Sequence, residues 1–183
     1  MRKFMAAAAM LALLVPGIGQ AETLTYSAPY DGIHQGGDAV NYISGSKDTG
    51  SLQIVRIAAG SPSGSLGCVG RGGYIELEQT VGGAGDAIAT IEADYSDALV
   101  GPFGFVKVAV RKDGKPLQAL VVRGPIYEAG TLSLTLTDLA GNPSPVEGPL
   151  EIWFGVEVSS SCPPSPPIEI ARATFTELRA ITS

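Results

Sequence analysis

The chain has 183 residues, with 12 basic and 18 acidic side chains and a net charge of −6. That balance argues against nucleic acid as a partner, because phosphates are held by clustered cations, and against an anionic lipid surface. One histidine in the whole chain excludes a His-based zinc site, which needs several such ligands.

Residues 1–21 read as a secretory signal peptide: Arg2 and Lys3 form the charged head, Met5 to Val15 the apolar stretch, and Gly19-Gln20-Ala21 an acceptable cleavage site. The apolar run is too short to span a bilayer. The domain is then expected over 22–183, in the periplasm or outside a bacterial cell. Without Arg2 and Lys3 its net charge is −8, a value that serves solubility.

Glu22 to Tyr30 reads as a first strand and corner. Asp31 to Gly50 is rich in Gly, Ser and Asp, with a short apolar piece at Ala39 to Ile43. Ser51 to Ala58 is strand-like, with Leu52, Ile54, Arg56 and Ala58 on one face. A glycine-rich loop over Gly60 to Gly73 carries Cys68. Tyr74 to Val81 then alternates with period two, the mark of a half-buried strand. Ala87 to Tyr95 forms a further strand, followed by an expected turn from Ser96 to Pro102. Phe103 to Lys112 alternates most regularly, with Val106, Val108 and Val110 on one side. Asp113-Gly114 gives a hairpin signal between it and Pro116 to Arg123.

Thr131 to Thr137 sets three leucines against four hydroxyls, and Asp138 to Gly148 reads as a loop. Two closing strands flank the loop SSSCPPSPP. In Glu151 to Val158 the residues Ile152, Phe154, Val156 and Val158 point one way, and Glu151, Trp153, Gly155 and Glu157 the other. Eight or nine strands, with no convincing helix and no repeat, predict one all-β domain. Its expected form is an antiparallel two-sheet β-sandwich of jelly-roll type. Cys68 and Cys162 are an even pair in an exported chain and are expected to form a disulfide. A closed loop of 94 residues would contribute roughly 4–5 kcal/mol in the chain-entropy account.

Three stretches together resemble the galactose-binding-like β-jelly rolls, which include many carbohydrate-binding modules of secreted bacterial proteins. They are Gly73 to Val81, Phe105 to Lys115 with its Asp-Gly turn, and Ile168 to Leu178 as a terminal strand. The resemblance covers most of the domain as a pattern. It implies a noncatalytic, often sugar-binding sandwich, sometimes with a structural Ca²⁺. No aspartate-rich loop places such an ion, so the metal stays unassigned.

Motifs for catalysis are missing from the sequence. His34 lies in a polar glycine-rich stretch and reads as an ordinary surface histidine. Gly60 to Gly64 has Pro62 where the nucleophile of a G-x-S-x-G elbow would stand. Gly67 to Gly73 leads into a strand, not a helix, so it lacks the amide geometry of a phosphate loop. A glycosidase needs two carboxyls roughly 5–10 Å apart, and Glu76, Glu78, Glu92, Asp94, Glu151 and Glu157 are all on offer. Almost any acidic sandwich offers as much.

Trp153 is the candidate binding residue. It shares the outward face of its strand with Glu151 and Glu157, and Lys107, Arg111 and Arg123 are expected on the same sheet face. Sugars stack on aromatic planes while charged side chains take their hydroxyls. The competing reading places Trp153 under a loop or in a second core layer. Tyr26, Tyr30 and Tyr42 form a second aromatic group. The leading expectation is a noncatalytic module for a polysaccharide or surface glycan. The alternative is a structural or surface-interaction protein of the bacterial envelope without a small ligand, with no membrane span in either case.

Overall fold

A computed structural model describes residues 21–37, 41–57, 72–159 and 168–183. Cys68 and Cys162 lie outside the described residues. Twelve strands follow in chain order: β1 (Thr23–Tyr26), β2 (Gly32–Gly36), β3 (Asn41–Ser46), β4 (Ser51–Ile57), β5 (Gly73–Val81), β6 (Ala87–Val100), β7 (Gly104–Lys112), β8 (Lys115–Arg123), β9 (Gly130–Thr135), β10 (Val146–Glu147), β11 (Leu150–Val158) and β12 (Ile168–Thr182). None of the described residues is helical.

The strands form two antiparallel sheets. The five-stranded sheet runs β2-β5-β11-β7-β8. The seven-stranded sheet runs β10-β6-β12-β4-β3, with β9 also beside β6 and β1 also beside β12. The long strand β12 is its spine. One edge pairs with β6 over almost its full length; the other pairs with β4 through Ile168 to Thr174 and with β1 through Leu178 to Ile181.

The period-two runs place the core. Ile152, Phe154, Val156 and Val158 of β11 are fully buried, as are Val106, Val108 and Val110 of β7 and Ile75, Leu77 and Val81 of β5. Leu52 and Ile54, Ile91 and Ala93, and Ala171, Ala173 and Phe175 meet them from the other sheet. At the centre, Phe154 packs edge-on against Tyr30 at 5.1 Å and against Phe175 at 5.2 Å. Truncating an aromatic ring buried this way to alanine costs about 3–5 kcal/mol.

Twelve strands stand among the described residues where eight or nine were expected: β10 falls in the expected loop Asp138 to Gly148, β3 runs on to Ser46 past the apolar piece read at Ala39 to Ile43, and two further elements depart from the sequence expectation. The glycine-rich Gly32–Gly36 is a strand, because β5 gives its backbone a partner from Glu78 to Tyr74. The expected turn at Ser96 to Pro102 gives way to strand as far as Val100. Here β6 absorbs a bulge: Arg172 faces Leu99 while Thr174 faces Ser96, so β6 holds one residue more than β12. The extra residue resets the alternation, and Tyr95, Ala98 and Val100 are the buried positions.

Arg56 shares the inward face of β4 with Leu52 and Ile54, as its place in the alternation requires. It is buried opposite Glu169 of β12 and donates to the carbonyl of Ser159. Glu169 accepts from the Phe103 amide at 3.1 Å. Burial pushes its carboxyl above the ordinary glutamate value, while the Phe103 and Gly104 amides and the Arg56 charge hold part of that rise back.

Candidate functional site

Directly paired residues of neighbouring antiparallel strands share a sheet face, so the register lays out the outer face of the five-stranded sheet in rows. One row is Gly36, Tyr74, Glu157, Phe105 and Arg123. The next is His34, Glu76, Gly155, Lys107 and Val121. A third is Gly32, Glu78, Trp153, Ala109 and Ala119, and a shorter fourth is Thr80, Glu151 and Arg111. Five of the residues expected from sequence, Trp153, Glu151, Glu157, Lys107 and Arg111, therefore stand together. Arg123 ends the first row, but its Nε donates to the Pro102 carbonyl at 2.9 Å and its guanidinium lies 5.8 Å from the Phe103 ring centre. It turns away from the cluster.

Gly155 is what lets the second row work. A Cβ there would sit 2.1 Å from the Ile75 carbonyl oxygen, so no side chain fits. Lys107 on β7 extends across this bare position. Its Nζ lies 3.0 Å from Glu76 on β5 and 2.8 Å from Glu157 on β11. The Glu76 side chain is 7% exposed and that of Lys107 18%. Burial alone would lower the lysine pKa. The hydrogen bond to Glu157 and the charge and hydrogen bond of Glu76 outweigh it, so the pKa is raised.

Trp153 is neither core nor an open platform. Its ring stacks on His34 at 4.2 Å with planes 10° apart. The Arg111 guanidinium carbon lies 4.5 Å from the same ring centre. The two groups come from β2 and β7, on opposite sides of β11, so the indole is flanked by a stacked imidazole and a guanidinium. His34 Nε2 also lies 2.5 Å from Glu78, and Arg111 Nε lies 3.8 Å from Glu151. The indole Nε1 is buried without a hydrogen-bond partner.

The aromatic rings left partly open on this face belong to Tyr74 and Phe105, either side of Glu157 in the first row. Tyr74 lies over Gly36, where a Cβ would come within 2.7 Å of the phenol ring, and Lys107 Nζ is 5.6 Å from the Tyr74 ring centre. The sequence reading missed His34, which carries one face of the Trp153 stack. Its role depends on β2, whose only apolar side chain is Ile33. The second aromatic group separates: Tyr30 is core, while Tyr42 is 65% exposed on β3.

The six carboxylates that a glycosidase might draw on each stand beside a basic group. Four take Lys107, His34 or Arg111 as partner, and Glu92 and Asp94 of β6 each lie 3.0 Å from Arg179. The described carboxyl pushed upward is Glu169, inside the sandwich and away from this face. Among the described residues no three of His, Cys, Asp or Glu gather to hold a metal ion. Asp138, in the loop after β9, spends its carboxylate on the amides of Ala140 and Asn142, each at 2.9 Å. The described residues thus do not fit a Ca²⁺ site.

No protein-family model matches the chain, and no curated protein matches its sequence. The fold is similar to solved carbohydrate-binding modules. With the module TmCBM61, solved in complex with β-1,4-galactotriose, it shares 10% identity over 84% of this chain and 86% of that one, at a TM-score of 0.36. With a family 6 carbohydrate-binding module the figures are 12%, 84%, 92% and 0.35. An apo cyclase from Fischerella sp. is matched at 14% identity over 91% of both chains, with a TM-score of 0.37. Likeness this low is equally strong to binding modules and to an enzyme, so function rests on the face itself.

Proposed function

We propose that this protein is a secreted, noncatalytic carbohydrate-binding sandwich that takes its ligand on the outer face of the five-stranded sheet. The observation that carries this reading is the first row, where Tyr74 and Phe105 flank the Glu157 carboxylate and Lys107 stands behind. Aromatic planes accept the apolar faces of a sugar ring, and a carboxylate and an ammonium between them take its hydroxyls. The clamped Trp153 is then a rigid wall beside the ligand, because its stack fixes the ring before any ligand arrives.

Trp153 is the only tryptophan, so its fluorescence reports this face without ambiguity. Titration with neutral oligosaccharides and cell-wall polysaccharides should give a saturable change for one glycan class. Tyr74→Ala should weaken that binding about tenfold or more, in the range of an aromatic anchor. Unchanged affinity in Tyr74→Ala and Phe105→Ala would overturn the reading.

One observation favours a surface-interaction protein instead. The edge strand β8 exposes Leu117 by 50% and Val121 by 53%, and an apolar edge invites pairing with another chain. A concentration-dependent mass that Val121→Lys abolishes, together with a flat glycan titration, would move that reading ahead.

The expected Cys68–Cys162 bond belongs to the same proposal. Residue 57 pairs with Ile168, and Gly73 pairs with Val158. The connections from β4 to β5 and from β11 to β12 therefore leave and re-enter the sandwich on adjacent strands. Cys68 lies five positions before Gly73 and Cys162 four after Val158, within reach at about 3.3 Å per residue. Thiol labelling without reductant should modify neither cysteine; quantitative labelling would refute the bond.

A further inference from the structure

The outer face of the seven-stranded sheet carries a groove of about 510 Å³, a size at which small molecules and oligosaccharide units are held. Its register rows are Ser44, Gln53, Arg172 and Leu99, then Ser46, Ser51, Thr174 and Ser96. The lining is dominated by hydroxyls and an amide, with Arg172 and Asp97 as its two charges. The groove is on the opposite side of the sandwich from Trp153 and shares no residue with the face described above.

Two independent observations mark it as more than a polar surface. The first is the bulge in β6. Asp97 sits at φ 49°, a left-handed conformation that a non-glycine residue adopts at a cost of the order of 1 kcal/mol. Bulges re-aim side chains, and this one brings a carboxylate to the groove. The second is Arg172. Arg56, Arg111, Arg123 and Arg179 are each engaged by a carbonyl, a carboxylate or an aromatic ring. Among the described residues Arg172 alone of the arginines has no such contact, although acidic residues outnumber basic ones in this chain.

We infer that this groove is a second binding site, built for a glycan segment that carries a carboxylate, a uronic-acid oligosaccharide. The guanidinium of Arg172 presents a planar fork of donors that matches a carboxylate in two parallel hydrogen bonds. Asp97, Ser51, Thr174 and Gln53 take the ring hydroxyls, each able to accept and, Asp97 excepted, to donate. Among the described residues the groove has no aromatic lining residue, so recognition rests on hydrogen bonds and charge and not on stacking. That chemistry separates it from the five-stranded face.

The test uses the ¹⁵N-labelled protein and tetramers of galacturonate, guluronate, mannuronate and glucuronate, each beside its carboxyl-reduced neutral counterpart. At least one uronate should shift the amide signals of Ser44, Gln53 and Thr174, with its neutral counterpart binding about tenfold or more weakly. Arg172→Gln should remove that preference, and Arg172→Lys should restore part of it, because an ammonium keeps the charge but loses the fork. Equal binding of acid and neutral forms, wild-type affinity in Arg172→Gln, or no shift with any of the four uronates would each overturn the inference. Trp153 emission reads the other sheet in the same samples, so the two sites are scored separately.

Discussion

On the five-stranded face the charges satisfy one another; in the groove behind it they do not. Lys107 is held by two carboxylates and Arg111 by Glu151 and the Trp153 ring, while Glu78 is hydrogen-bonded to His34. In the groove Arg172 is left free in solvent. Both faces are polar by composition, yet one is a fixed lattice and the other an unfilled valence. A lattice of that kind holds its shape at some cost in desolvation, and its contribution to binding is rigidity. An unmatched cation offers direct affinity, because its partner has still to arrive.

Removing a member of the lattice should break this contrast most visibly. Lys107→Met leaves Glu76 buried without its counter-charge, and an uncompensated group of this kind costs about 2–3 kcal/mol in a partly exposed setting. Urea unfolding should show the loss; a variant as stable as the parent would mean that the network is ornamental.

The alkaline limb of the stability curve gives the next largest effect. Burial, with a smaller part from the Glu177 charge, raises the Tyr30 phenol to about 12. The unfolded chain releases that proton near the ordinary value of 10, so the folded form binds more protons between the two. Stability is complete below pH 10 and falls as pH rises towards 12, by about 2 kcal/mol. Lys107, also raised, adds to the same limb with the same sign. Tyr30→Phe should flatten the decline in pH-dependent melting, and an unaltered slope would assign it elsewhere.

The smallest effect sharpens the contrast from the other side. Arg172→Gln touches no partner, so its unfolding free energy should stay within about 0.5 kcal/mol of the parent. A larger loss would show that Arg172 holds the fold and is not waiting for a ligand.

The five-stranded sheet was legible where burial on one face forces alternation. The runs in β5, β7 and β11 announce their inward residues, because a one-residue slip would turn every one of them to solvent. The strand β2 was not legible, since GIHQG has a single apolar residue and is a strand only because β5 pairs with it. The bulge at Asp97 was hidden for a related reason: one inserted residue reverses the phase, and the run through Ser96 to Pro102 then reads as a break. Sequence spacing brought Trp153, Lys107 and Arg111 to one face, but not the stack on the indole, which needs His34 from two strands away. The groove was invisible because serine, threonine and glutamine on an outward face look like any solvated strand. Only the structure shows that Arg172 and Asp97 line one groove.

The central place of β12 also sets an order of assembly. It closes against β1, whose Thr23 pairs with Ile181, against β4, and against β6. A chain emerging from its N-terminal end therefore presents β4 and β6 with a bare edge, and β1 with no partner strand, until this segment follows. Contacts so distant along the chain make folding slow, and bare edges are where unfinished sheets aggregate. A chain cut before Ile168 should show no cooperative unfolding transition at all. Under the proposed secretion, if the chain crosses a membrane as an unfolded thread, that arrangement delays commitment to the final form until nearly all of it has passed through.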